Sequence, residues 1–63
     1  IRIMKKYRLE NVGWRNNGYP YYVEVAVCSM SGDIMFWQQV SKNYFSEGWA
    51  RRWARIHGIT LQN

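Results

Sequence analysis

The stretch Tyr19-Pro20-Tyr21-Tyr22-Val23-Glu24-Val25-Ala26-Val27-Cys28 decides the fold. Aromatic and β-branched residues dominate it, and these side chains fit a pleated, half-buried surface. Successive side chains of a strand point to opposite faces. Tyr21, Val23, Val25 and Val27 therefore share one face, and Tyr22, Glu24, Ala26 and Cys28 share the other. The first face is apolar enough to need a covering layer. Pro20 lacks an N–H and belongs at the first residue of such a strand. We place the strand at about 20–28.

The flanking segments supply its neighbours. Residues 3–10 alternate, with Ile3, Tyr7 and Leu9 on the inward side and Lys6 and Arg8 on the outward side. The stretch Asn11 to Gly18 breaks this pattern with Asn and Gly, the residues that reverse a chain. On the other side, Ser29-Met30-Ser31-Gly32-Asp33 has the form of a tight hairpin connection with Gly32 as its left-handed residue. A third strand over 34–40 follows, with Ile34, Phe36 and Val40 on one side and Met35, Trp37 and Gln39 on the other. Short links on both sides make the Tyr/Val strand the centre of an antiparallel meander.

The period then changes from two to about 3.6. Ser46 suits an N-cap, Glu47 suits the first turn, and Gly58 suits the position just past the end. Residues 46–57 form an amphipathic helix on which Trp49, Trp53 and Ile56 recur as a stripe. That stripe is expected to pack on the valine face, with Arg51, Arg52 and Arg55 on the far side. Ile59-Thr60-Leu61 adds a short fourth strand or a covering tail. The predicted architecture is one α+β domain, a three-stranded meander packed on one C-terminal helix.

A chain of 63 residues is near the lower limit for stability from a core alone, and its four Trp, five Tyr and two Phe offset that shortness. Cys28 is the only cysteine, so no intramolecular disulfide contributes, and it is expected to act as a small apolar residue on a half-buried strand. No apolar run approaches the roughly 20 residues of a membrane span, and no signal-peptide pattern is present. These features predict a cytoplasmic protein with no membrane partner.

The formal charge of +5 is unevenly spread. Residues 1–15 carry a net +4, residues 16–41 a net −2 from Glu24 and Asp33, and residues 42–63 a net +3. Six Arg against three Lys favour bidentate recognition of phosphate or carboxylate. Catalysis finds little support. His57 is the only histidine, the four acids are scattered, and neither a metal-ligand spacing nor a cofactor motif is present. The chain is expected to be non-enzymatic, with no metal and no cofactor.

These residues point to a small basic nucleic-acid-binding module of accessory or regulatory role. Lys5, Lys6, Arg8, Arg51, Arg52 and Arg55 are the candidate phosphate contacts, and Tyr22, Trp37 and Gln39 the candidate base contacts. The competing reading is a protein-interaction module, an inhibitor or adaptor. It would dock an acidic protein through the basic helix or form a homodimer through the sheet face opposite the helix. Trp49 and Trp53 are read as core, and Trp14 as part of a loop over that opposite face.

The order of elements also resembles a known group. Arg15-Asn16-Asn17-Gly18-Tyr19 leads into an aromatic strand, Ser31-Gly32-Asp33 stands at a hairpin, and Phe45-Ser46-Glu47 opens a helix bearing Ala50 and Ala54. This resembles the N-terminal arm-binding domains of phage and transposon tyrosine recombinases and the related plant ethylene-response DNA-binding domains. The likeness covers most of residues 7–57 and rests on generic turn and cap signals. It implies a phage or bacterial DNA-binding protein whose sheet enters the major groove by the face opposite the helix. Lys6, Arg8, Tyr22, Glu24, Trp37 and Gln39 would be the contacts, with Gln39 reading adenine and Arg8 guanine. The group carries Arg or Lys on its second and third strands, where this chain has none. Glu24 at the centre of the face would repel phosphate unless Lys6 or Arg8 pairs with it.

Overall fold

A computed structural model of the chain describes residues 6–13 and 18–63. Strands β1 (Tyr7–Asn11), β2 (Tyr21–Cys28) and β3 (Ile34–Gln39) form one antiparallel sheet in the order β1-β2-β3, followed by helix α1 (Glu47–Ile56). The three-stranded meander and single C-terminal helix are those expected from the sequence. The first strand was expected to begin at residue 3, and residues 1–5, like Trp14 and its neighbours 15–17, lie outside the described residues.

Register explains which side chains meet. Leu9 faces Val23 and Tyr7 faces Val25, so the apolar sides of β1 and β2 coincide beneath the helix. Arg8 faces Glu24 on the opposite side. The hairpin between β2 and β3 closes through Ser29 N–H to the Asp33 carbonyl at 2.8 Å, with Gly32 at φ +92°, where an L side chain would be strained. A register shift between Val27 and Cys28 departs from simple alternation. Phe36 remains opposite Val27, but Ile34 falls opposite Cys28 and so crosses to the other face. Cys28, expected to be half-buried, is exposed at this end of the strand.

Local signals set the helix bounds. The Ser46 hydroxyl accepts from Trp49 N–H at 3.3 Å as the N-cap, and Glu47 lies in the first turn. At the other end, Gly58 (φ +69°) donates to the Arg55 carbonyl at 3.1 Å and Ile59 N–H to the Ala54 carbonyl at 2.8 Å. This is the paired closure of a Schellman motif, and it turns Ile59 back onto the core.

The core corrects the expectation for the helix. Val23 and Ala50 are 0% exposed and Ala54 is 1%, with Leu9 completing the centre, whereas Trp49 is 47% exposed and Ile56 68%. Trp53 is half-buried at the margin. The Trp-Ile stripe is therefore not the packing face. Ala50 and Ala54 lie one turn apart, and their small side chains let the helix backbone approach β2 closely. A strongly apolar stripe and the actual contact stripe differ in direction here because two alanines offer a close fit that two indoles cannot.

Residues 61–63 pair along the outer edge of β1. Leu61 bridges Tyr7 in parallel, and Gln62 N–H donates to the Tyr7 carbonyl at 2.9 Å. The Asn63 side-chain amide then accepts from Leu9 N–H and donates to the Leu9 carbonyl, both at 2.9 Å. The expected tail is thus an isolated bridge plus an amide clamp on the outer edge of β1.

This packing separates two substitutions. Ala54→Leu forces extra volume against Val23 and should cost about 1–3 kcal/mol. Ile56→Ala, on the exposed stripe, should stay within about 0.5 kcal/mol of the parent. Urea unfolding of both variants checks the assignment; a larger loss from Ile56→Ala than from Ala54→Leu would contradict it.

Candidate nucleic-acid interface

Two surfaces carry the residues singled out by the sequence. The first is the sheet face opposite the helix. Arg8 stands directly across from Glu24, and their side chains form an ion pair through Arg8 Nε and Glu24 Oε1. Arg8 also reaches Glu10 at 3.3 Å, and its guanidinium lies over the Trp37 ring, 4.0 Å from the centroid. Glu24 is only 4% exposed. A carboxylate so deeply placed needs a permanent cation, and the guanidinium supplies both charge and hydrogen bonds.

This arrangement occupies the groups expected to read bases. Arg8 is held by two carboxylates, and Trp37 is half-buried beneath it. The Gln39 amide donates to the Ser41 carbonyl at 2.7 Å and to Asn43 Oδ1 at 2.9 Å. Tyr22 faces Glu10 across the strands, and its phenol is pushed above the usual value near 10 by burial, then by Glu24 and Glu10, with Arg8 acting in the opposite direction. Among the described residues, the centre of this face therefore sets two carboxylates, Glu10 and Glu24, against the one guanidinium of Arg8. Lys6 is exposed at the end of β1, and Lys5 lies outside the described residues.

The second surface is the outer side of α1. Arg51 pairs with Glu47 at 3.0 Å and donates to the Asn63 carbonyl at 2.8 Å, which ties it toward the β1 edge. Arg52 lies over the exposed Trp49 ring at 5.5 Å from the centroid, beside a shallow depression lined by Gly48, Trp49 and Arg52. Among the described residues Arg55 has no side-chain ion-pair partner. His57 stacks on Trp53 with ring centroids 4.3 Å apart, and its Nδ1 lies 2.8 Å from the Trp53 carbonyl. It closes the helix rather than joining a cluster.

Sequence reasoning found the basic residues but missed Trp49 as a surface residue. The signal available was the smaller pair Ala50 and Ala54, spaced one turn apart and adjacent to that stripe. Among the described residues no helix is long and apolar enough to cross a membrane. No family model, no curated protein and no solved structure matches this chain.

The buried pair yields two expectations. Arg8→Met leaves Glu24 without its cation and should cost ~2 kcal/mol, less than for a fully buried pair because Arg8 is itself about a third exposed. The double variant Arg8→Met/Glu24→Leu should recover most of that loss, as read by urea unfolding. Because the Tyr22 phenol is raised, the unfolded chain ionises first, so stability should fall as pH climbs above about 10. Tyr22→Phe should lessen this alkaline loss, and an unchanged slope would refute the linkage.

Proposed function

We propose that the chain is a small, non-enzymatic nucleic-acid-binding module that engages phosphates through the outer side of α1. The observation that carries this reading is the charge on that side: Arg51, Arg52 and Arg55 stand against Glu47 alone, and Arg52 and Arg55 are free of carboxylate partners among the described residues. Guanidinium groups on one helix form a suitable row for a phosphate backbone. Exposed Trp49 beside Arg52 adds an aromatic surface on which a base can stack.

The sheet face has the opposite character, since its arginine already neutralises a buried acid. The proposed contact surface therefore differs from the one that the recombinase-like resemblance implies. Binding of DNA in particular rests on that resemblance alone.

A second reading has its own observation. Trp49 and Ile56 are large, exposed and next to the arginines, a combination that also suits the centre and rim of a contact with an acidic protein.

A salt-titrated binding assay on mixed duplex and single-stranded nucleic acids tests the proposal. Log K should fall linearly with log salt, by about 0.9 per phosphate neutralised on duplex DNA. Arg52→Gln/Arg55→Gln should weaken binding about tenfold or more at low salt and reduce the slope by about 1.8. A salt-independent response, or no binding at low salt, overturns the reading. A protein partner retained after nuclease treatment favours the second one.

A further inference from the structure

The two edges of the sheet are finished differently. On β1 the outward groups of Tyr7 and Leu9 are taken up by Gln62 and by the Asn63 amide. β3 forms the other edge. Val40 N–H donates inward to the Val23 carbonyl, and by alternation the backbone groups of Trp37 and Gln39 point away from β2. Among the described residues no backbone bond reaches them. Ile34 to Val40 contains no Lys, no other charge and no Pro, and its one irregularity, at Met35, leaves Phe36 to Val40 without any of the usual protections of an edge. Large apolar side chains stand exposed along it, Phe36 at 53% and Val40 at 40%.

We infer that β3 pairs with β3 of a second copy of this chain, antiparallel about a two-fold axis through Gln38, making one continuous six-stranded sheet. The register shift beside Val27 leaves Met35 as the irregular residue, so the regular, pairable part of the edge is Phe36 to Val40. Its midpoint is Gln38. In that register Trp37 exchanges backbone hydrogen bonds with Gln39 of the partner subunit, and the reverse. On the helix side Phe36 meets Val40 of the partner subunit, covering two exposed apolar side chains in each copy.

Charge selects a second copy over other occupants. The strand itself is neutral, so pairing with itself sets no like charges face to face within the contact. The charges that flank it are Asp33 before β3 and Lys42 after it. An antiparallel arrangement brings Asp33 of each copy alongside Lys42 of the partner subunit. The same edge would offer an acidic or basic peptide no such match at both ends.

The test uses the 63-residue chain in sedimentation equilibrium over a concentration series. The mass should rise from 7.6 kDa toward twice that value. Gln38 is exposed and lies at the axis, so Gln38→Lys sets like charges face to face and should weaken the dimer at least tenfold. Gln38→Val should tighten it, a gain that a folding defect cannot mimic. In a Cys28→Ser background, Gln38→Cys should cross-link on mild oxidation, because directly opposed residues of this kind lie within disulfide reach. A chain that remains at 7.6 kDa up to millimolar concentration overturns the inference. So does a dimer that ignores Gln38→Lys but is dispersed by Tyr22→Lys, since that dimer forms through the sheet face and not the edge.

Discussion

The close approach of α1 to β2 over Val23 is the contact on which the rest of the structure depends. Val23 and Ala50 are without exposed surface, and Ala54 almost so. In a chain this short the apolar surface removed from water must be concentrated, because little interior volume is available. Two small residues one turn apart bring the helix backbone to the sheet, and the surrounding Tyr7, Tyr21, Tyr44, Trp53, Ile59 and Leu61 close around that point. Ser41 contributes from outside the strands, accepting from Val23 N–H at 2.8 Å where the ladder with β3 ends. A donor at the most buried residue is thereby satisfied, which matters more than the bond's modest net worth.

The opposite face is governed by electrostatics instead of packing. Register sets Arg8 against Glu24, and Trp37 from β3 supplies an aromatic ring beneath the guanidinium. Three strands thus meet in one charged and aromatic cluster, which links β1 to β3 across β2. Its cost to recognition is that the cluster consumes its own cation. The helix has the converse property: only Glu47 offsets its arginines, and Trp49 and Ile56 are left at the surface. The proposed phosphate contacts lie on the helix for this reason.

The finishing of the edges follows from the order of elements. A helix that ends at a Schellman closure sends the tail back along β1, where Leu61, Gln62 and Asn63 take up the outer edge. The helix and tail both serve β1 and β2, and β3 receives neither. Among the described residues no segment covers the outer edge of β3, a neutral and aromatic strand, and the proposed self-pairing uses that edge.

The sequence by itself determined the element order, the central place of β2 and the helix bounds. These follow from local chemistry: alternation in the Tyr/Val stretch, the hydroxyl of Ser46, and the positive φ available to Gly32 and Gly58. Glu24's need for Arg8 or Lys6 was also legible, because alternation puts all three on one face of adjacent strands; that the partner is Arg8 was decided by register. Only the tertiary structure decided which side of α1 faces the sheet. Hydrophobicity favoured Trp49 and Ile56, but the fit over Val23 depends on how closely two surfaces approach, a property of the pair and not of either sequence segment. It likewise decided the crossing of Ile34 to the other face and the clamp of Asn63 on Leu9, which join residues whose separation along the chain carries no local signal.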